Sequence, residues 1–322
     1  MNDNTTNNNM FYLAFKDVHP SWSLIGCALT YGIIATFGII FNSSVIGVTI
    51  QTKSFRGTVN YLLALCSFFE ILHQFGHFLF VYTAFSGQNF IEYRLAAKIL
   101  MIPFFGFGNI PPIMFFIGID RMIGILFDEM HSKRKIRLYL ATITIICSAF
   151  SFGSCLTFYQ SIELNGDQMI TGTFADFFMR STQYSLIRLF LIVITIIIYL
   201  FVGLIIRIKS AGLPSADQIN CRTFCALFCI IIINVGGYCI NLVYSNLIKP
   251  SIASPITAWF GLVISGISLN IGAASNAPIL YFTSMEYRQA FQTVFPFVFK
   301  RFSNANQVIP LQNGHPLGTT QC

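Results

Sequence analysis

The sequence predicts an all-α protein, a seven-transmembrane helix bundle followed by a short amphipathic helix. The 322 residues are 55% hydrophobic and only 10% charged, and the mean hydropathy is +0.68. This composition excludes a soluble globular domain. Seven apolar stretches are long enough, or nearly so, to cross a hydrocarbon core, which takes about 20 helical residues. The Lys and Arg residues are also distributed unevenly between the loops.

The apolar stretches follow one another closely. They are Ser23–Ile50, Thr58–Phe85, Leu95–Phe127, Leu138–Ser161, Tyr184–Ile208, Thr223–Ile248 and Pro255–Phe282. The connections between them are too short to hold a separate domain, so residues 23–284 are predicted to form one membrane domain. Residues 1–22 precede it as a polar tail, predicted to be extracellular.

The basic residues predict the orientation. Of the 19 Lys and Arg residues, thirteen fall on one side of the predicted bundle and six on the other. The positive-inside rule assigns the richer side to the cytosol, which leaves the N-terminus outside. The net charge of +7 follows from this bias, so no nucleic-acid partner is predicted. The predicted location is the plasma membrane, with several membrane passes.

The longest connection, Ile162–Gln183, contains Asn165-Gly166 and Thr171-Gly172-Thr173. This turn chemistry favours a small hairpin over the outer face. Eight of the nine cysteines lie in or at the ends of the predicted helices, and Cys322 lies in the C-terminal tail. No extracellular disulfide is therefore predicted.

Two segments follow the seventh stretch. Met285–Lys300 places Phe291, Phe295 and Val298 on one side, which is typical of an amphipathic helix at a membrane interface. Residues 301–322 are rich in Asn, Gln, Gly and Pro, and are predicted to be a disordered cytoplasmic tail.

Asp120-Arg121 is the pair that most strongly suggests a function. It ends an apolar run, Ile99 to Ile119, that holds no other ionisable residue. A charge at the centre of a membrane helix costs about 2.5–3.5 kcal/mol or more, so such residues are usually functional. Arg121 is suited to a switch, because its guanidinium can exchange one set of partners for another. It can also be an interfacial arginine that reaches the headgroups and fixes the depth of the helix.

Glu70, His73 and His77 lie on one face of the second predicted helix, at i, i+3 and i+7. A Glu-x-x-His pair can bind a metal in a helix bundle, but matching ligands from other helices are missing. No metal or cofactor is predicted. The alternative is a polar network in which Glu70 bonds to Asn42 and to the seventh helix.

Several motifs together resemble the rhodopsin-like G-protein-coupled receptors. Asp120-Arg121 ends the third helix, Asn42 lies in the first, and Asn60 to Glu70 has the spacing of the second-helix motif. Asn276-Ala-Pro278-Ile-Leu-Tyr281 is similar to the NPxxY element, with one extra residue between Asn and Pro. With Met285-Glu-Tyr-Arg-Gln-Ala-Phe after the seventh helix, the chain resembles more narrowly the nematode serpentine chemoreceptors of class sx (srsx).

The resemblance implies a receptor rather than an enzyme, one that binds an external small molecule or peptide and signals through a heterotrimeric G protein. It implies an activation switch of Asp120, Arg121, Pro278 and Tyr281, with Asp217 as a candidate partner for Arg121. It also implies a polar core of Asn42, Glu70 and Asn276. One departure is Ala96, which occupies the position of the family's cysteine in the third helix.

A ligand pocket is expected between the outer halves of the third, fifth, sixth and seventh helices. Its candidate residues are Phe104, Phe107, Arg188, Tyr238, Asn241 and Trp259. The cytosolic basic residues Lys133, Arg134, Lys135 and Arg137 are candidates for contact with the G protein or with anionic membrane lipids.

Two other functions remain open on the sequence. A small ion or proton transporter or channel would use Glu70, His73 and His77 as a path. An intramembrane metalloenzyme would use the same three residues as metal ligands.

Overall fold

The computed structural model describes residues 10–126, 133–179, 183–210 and 216–297. It gives the backbone alone at residues 133–135, 164, 183–186, 206–210, 216–227 and 231. The predicted cytoplasmic tail, 301–322, and the first nine residues lie outside the described residues.

Seven of the described helices are long and apolar enough to cross a membrane, which confirms the predicted fold class. In chain order these spans are Trp22–Gln51, Thr58–Phe85, Tyr93–Leu126, Ile136–Glu163, Ile187–Ile205, Phe228–Ser251 and Pro255–Ala274. A backbone in lipid has no water to bond to, so each apolar run satisfies its N–H and C=O groups within a helix.

The helices extend beyond the spans or divide within them. The third span is one helix, Tyr93–Leu126, the fourth is Lys133–Asn165, and the fifth is Gln183–Ser210. The sixth is Ala216–Val243, which continues as a π-helical turn, Tyr244–Ile248, and a 3-10 turn, Lys249–Ser251.

The second span divides at Gly76 into Thr58–Phe75 and His77–Phe85. After Pro255–Ala274, the seventh span continues past Ser275 as Asn276–Thr283.

The amphipathic helix occupies the first ten residues of the predicted segment 285–300, of which residues 298–300 lie outside the described part. It covers Met285–Val294, with the Ser284 side chain accepting a hydrogen bond from the Tyr287 backbone N–H at its start. It ends two residues before Pro296, whose missing N–H does not support a continuous helix. The helix packs on the first span and on the end of the seventh.

The third span is the centre of the bundle, because it contacts the second, fourth and fifth spans. The first span packs on the second and the seventh, and the sixth packs on the fifth and the seventh. We call the end that carries the N-terminal segment the outer end, following the charge bias, and the opposite end the inner end.

Within its described residues, the longest outer loop does not form a hairpin with itself, so that prediction was wrong. Its strand β2 (Met169–Ile170) pairs antiparallel with β1 (Ile91–Glu92) of the preceding outer loop. A five-residue helix, Phe174–Phe178, follows β2 and is called the loop helix below. Turn residues in the sequence mark where a chain reverses, whereas the strand partner depends on which loops the spans bring together.

Candidate functional site

A small, partly enclosed cavity lies near the outer end of the bundle. The first, second, third, sixth and seventh spans line it together with the loop helix. The lining residues are Tyr31, His73, His77, Phe107, Phe174, Ala175, Phe178, Asn241, Leu262, Gly266, Leu269 and Asn270. Its free volume is about 20 Å³, which is room for about one water molecule.

The Phe174 ring of the loop helix occupies the space above the second span. Its centroid lies 5.3 Å from that of His73, 5.4 Å from that of His77 and 5.9 Å from that of Phe107. A Cβ atom on Gly76 would lie 2.7 Å from the Phe174 ring. The close approach of this ring therefore requires a glycine at the break in the second span.

A carboxylate holds the loop helix in place. Asp176 is buried, and its Oδ1 accepts a hydrogen bond of 2.8 Å from Nε1 of Trp259 in the seventh span. Its Oδ2 accepts from the Thr171 hydroxyl at 2.8 Å and from the Gly172 backbone N–H at 3.0 Å. At the other end of the loop helix, Lys249 donates to the Phe178 carbonyl at 3.2 Å. The loop helix is thus tied to the sixth and seventh spans.

Sequence reasoning missed Asp176. The available signal was an acidic residue inside the apolar segment Phe174–Met179, because a carboxylate among apolar residues needs several hydrogen-bond donors if it is to be buried.

Tyr93 joins the third span to the same loop. Its hydroxyl lies 2.6 Å from that of Ser161, its backbone N–H donates to the Gln168 carbonyl at 2.8 Å, and its ring lies 5.0 Å from Phe177. The six cysteines whose side chains are described are free thiols, and Ala96 is fully buried. Hydrogen bonds and aromatic packing therefore position this loop.

Glu70, His73 and His77, which share one face of the second span, are all buried. Nδ1 of His73 lies 3.3 Å from Oε2 of Glu70, and Nε2 of His77 lies 2.6 Å from Oδ1 of Asn270. The sequence-based expectation that Glu70 bonds to Asn42 was wrong, because Glu70 bonds along its own helix to His73. Among the described residues, no group of three or more His, Cys, Asp or Glu side chains has a geometry suited to a metal ion.

Three asparagines connect the middle of the bundle. Nδ2 of Asn276 donates to Oδ1 of Asn42 at 2.9 Å, and Nδ2 of Asn234 donates to Oδ1 of Asn276 at 3.0 Å. Asn42 also donates to the Ala273 carbonyl at 2.9 Å. This asparagine chain links the first, sixth and seventh spans, and all three side chains are buried. Asn234 was not anticipated from the sequence.

The structure divides the expected pocket residues into two groups. Phe107 and Asn241 line the cavity. The other four lie around it: Phe104 stacks on Phe158 at 4.5 Å, Tyr238 stacks on Phe107 at 5.6 Å, and Trp259 binds Asp176. Arg188 packs its guanidinium 4.8 Å from the Phe178 ring centroid. The cavity lies closer to the first and second spans than expected, because the loop helix fills the space near the fifth.

At the inner end, Oδ2 of Asp120 accepts a 2.9 Å hydrogen bond from the Thr58 hydroxyl of the second span. The neighbouring Arg121 interacts electrostatically with Asp120, Tyr199 and Tyr287. The Arg121 Nε and the Tyr199 hydroxyl are both buried with no hydrogen-bond partner among the residues that the structure describes. The side chain of Asp217, the candidate partner of Arg121, lies outside the described part.

Tyr287 of the amphipathic helix completes this inner region. Its hydroxyl donates to Oδ1 of Asn60 at 2.8 Å, and its ring lies 4.3 Å from Phe55. Burial raises the pKa of the Tyr287 phenol above its ordinary value, so the hydroxyl stays protonated and remains a donor at neutral pH.

Tyr281 contacts the amphipathic helix. Its hydroxyl accepts a 3.4 Å hydrogen bond from Gln292, and its backbone carbonyl accepts from Nε of Arg288 at 3.0 Å. Pro278 lies one turn earlier in the helix Asn276–Thr283.

Comparison with known protein families decides the identity of the chain. The family described as serpentine type 7TM GPCR chemoreceptor Srsx matches residues 35–295. The chain belongs to the Srsx family. No curated protein matches this Srsx receptor.

The matched range of the Srsx receptor covers every cavity-lining residue except Tyr31, together with the asparagine chain and the Asp120–Arg121 pair. Family and structure agree on a seven-helix, multi-pass membrane protein of the G-protein-coupled receptor type. This is a family of receptors rather than enzymes.

Proposed function

We propose that this Srsx receptor is a chemosensory receptor of the plasma membrane, with its N-terminus outside, that binds an external small molecule or peptide. Binding shifts the receptor toward a state that activates a heterotrimeric G protein in the cytosol. The observation that carries the proposal is the outer cavity, whose lining residues lie on helices that continue to Arg121 and to the asparagine chain.

The contacts of the seventh span support coupling between the cavity at the outer end and the switch residues at the inner end. Asn270 lines the cavity, and Asn276, less than two turns further along the chain, bonds to the first and sixth spans. Tyr281 then contacts the amphipathic helix. A ligand that moves Asn270 acts on these contacts, and it shifts the equilibrium only as far as its affinities for the two states differ.

The contacts at the inner end support a switch in which Arg121 changes its hydrogen-bond partners. The Arg121 Nε and the Tyr199 hydroxyl are buried and unpaired among the described residues, and each buried unsatisfied group costs about 1–3 kcal/mol. A shift between the third and fifth spans that brings Arg121 and Tyr199 into hydrogen-bond distance, or a partner peptide that enters beside them, would give both groups partners. Asp120, Arg121, Pro278 and Tyr281 are proposed as the switch, because Pro278 weakens the seventh helix where its residues meet the amphipathic helix.

The transporter alternative has weaker support. The His73 ring packs on Phe107 and the His77 ring packs on Phe174, while Glu70 bonds to His73. The cavity beside the two histidines has room for about one water. Within the described residues, Glu70, His73 and His77 form a packed polar cluster rather than a hydrated path for ions or protons.

The test is nucleotide exchange on heterotrimeric G proteins in membranes that contain the receptor, with a panel of small alcohols, amines, acids and short peptides. Arg121→Ala should abolish exchange stimulated by any agonist found, at equal surface expression. Arg56→Ala is the matched control, because Arg56 is exposed at the inner end, in the loop between the first and second spans. Wild-type signalling by Arg121→Ala would show that Arg121 has no switch role.

A further inference from the structure

Neighbouring residues fix the hydrogen-bonding role of one buried atom beside the outer cavity, Nδ1 of His77. Nδ2 of Asn270 donates to the Gly266 carbonyl at 2.8 Å, which orients the amide so that Oδ1 faces His77. A carbonyl oxygen only accepts, so Nε2 of His77 carries the proton in their 2.6 Å hydrogen bond. In the neutral imidazole, the opposite nitrogen, Nδ1, is then an acceptor.

This acceptor is unused. Nδ1 of His77 is buried with no hydrogen-bond partner among the described residues, and the His77 side chain is 2% exposed. Its ring packs against Tyr31 at 4.7 Å and against Phe174 at 5.4 Å, and it lines the cavity. A buried acceptor beside a cavity is a site for a ligand with a hydrogen-bond donor.

The space available to such a ligand is set by Phe174. The remaining cavity holds about one water, so a larger molecule must displace a side chain. Phe174 is the first residue of a five-residue loop helix, whereas its contacts His73, His77 and Phe107 lie on long membrane helices. Loop elements open at a lower free-energy cost than packed spans. The Phe174 ring is therefore the side chain that a ligand displaces.

We propose that the cavity accepts a small neutral molecule with one apolar ring and one hydroxyl or N–H group, which takes the place of the Phe174 ring and donates to Nδ1 of His77. The apolar ring matches the space of a phenyl group bounded by Phe104 and Phe107. The ligand is neutral because Nδ1 of His77 is an uncharged acceptor, and burying a charge without a partner is costly. This assignment deepens the proposed function, since it assumes that the outer cavity is the ligand site.

Direct binding tests the assignment without signalling. The full chain in phosphatidylcholine nanodiscs is titrated with 4-fluorobenzyl alcohol and with its methyl ether, which has the same ring but no donor, and binding is followed by fluorine NMR. Empty nanodiscs correct for partition into lipid. Phe174→Ala vacates a phenyl-sized space, and such apolar cavities bind single-ring molecules.

In Phe174→Ala, the alcohol should bind about ten times more tightly than in wild type, and about ten times more tightly than the ether, as one buried hydrogen bond predicts. Adding His77→Phe should remove the preference for the alcohol. Phe177→Ala is the matched control, because Phe177 lies in the same loop helix but packs on Tyr93 and Phe158. Phe177→Ala should create no preference for the alcohol over the ether.

Equal binding of alcohol and ether to Phe174→Ala would overturn the role of His77. This comparison uses a single variant, so it holds even if the His77 variant fails to fold. Binding to Phe174→Ala no stronger than to empty nanodiscs would overturn the site. Both results leave G-protein activation untouched, whereas failure of the proposed function would appear only in the exchange measurement.

Discussion

Trp259 donates a 2.8 Å hydrogen bond from its indole Nε1 to Oδ1 of Asp176, and this contact ties the loop helix to the seventh span. The other carboxylate oxygen is used by Thr171, Gly172 and Thr173 of the same loop. A single buried carboxylate therefore organises the loop that closes the outer cavity, next to a third span that carries Ala96 in place of a cysteine.

Asp176 and Trp259 should be energetically coupled. We expect Asp176→Asn and Trp259→Phe each to lower the free energy of unfolding by about 1–3 kcal/mol, because each change removes a buried hydrogen bond. The double variant should lose less than the sum, with a coupling of about 0.5–3 kcal/mol, in thermal unfolding of the purified receptor. Asp167→Asn is the control, because the Asp167 side chain is 97% exposed and forms only a surface ion pair. Strict additivity would contradict the coupling.

Gly76 should tolerate no side chain. A methyl group at this position would meet the Phe174 ring at 2.7 Å and the Cβ of Pro103 at 2.8 Å. We expect Gly76→Ala to destabilise the receptor by about 1–3 kcal/mol in thermal unfolding, as overpacking does. Gly26→Ala is the matched control, because a methyl group at Gly26 meets nothing within 4 Å. A Gly76→Ala protein as stable as the control would mean that the Phe174 ring is not held against the second span.

The Tyr199 hydroxyl should matter for signalling and not for resting stability. It has no hydrogen-bond partner among the described residues, so Tyr199→Phe should leave the melting temperature of the ligand-free receptor unchanged or slightly higher. If the hydroxyl pairs with Arg121 in the active state, agonist-stimulated nucleotide exchange should fall about tenfold. Tyr159→Phe is the control, since Tyr159 is 57% exposed on the bundle surface. A clear loss of resting stability in Tyr199→Phe would argue against this assignment.

Asn276 should be the central member of the asparagine chain. Asn276→Leu removes hydrogen bonds to both Asn42 and Asn234, whereas Asn234→Leu removes only one of these two. Hydrogen bonds between membrane helices contribute about 0.6 kcal/mol on average and up to about 1.7 kcal/mol. We therefore expect Asn276→Leu to destabilise the receptor more than Asn234→Leu does in thermal unfolding. The reverse order would place the centre of the network elsewhere.

Much of the architecture could be predicted from residue type and spacing alone. The seven spans follow from runs of apolar residues, because an apolar helix is the form in which such a run satisfies its backbone in lipid. Asp120-Arg121 stood out because charges at membrane depth are costly and rare, whereas Asn42 and Asn276 were identified through the resemblance to rhodopsin-like receptors. In the structure, Asn42 and Asn276 bond to each other.

The details of the site could not be predicted in this way. The sequence placed Glu70 near Asn42, but Glu70 bonds to His73, since a helix brings residues three apart together before any tertiary contact forms. Trp259 was named as a pocket candidate, and its indole N–H binds Asp176, a residue that sequence reasoning did not select. The partner of a loop carboxylate depends on how the loop folds over the bundle.

The sequence by itself determined that this protein is a seven-span membrane receptor of the serpentine type, because hydropathy, charge bias and short motifs are local properties of the chain. Only the tertiary structure decided that Phe174 fills the outer cavity and that His77 presents an unused acceptor there. Those facts depend on His77, Phe174 and Asn270. These residues are about a hundred or more positions apart in the chain, and packing alone brings them together.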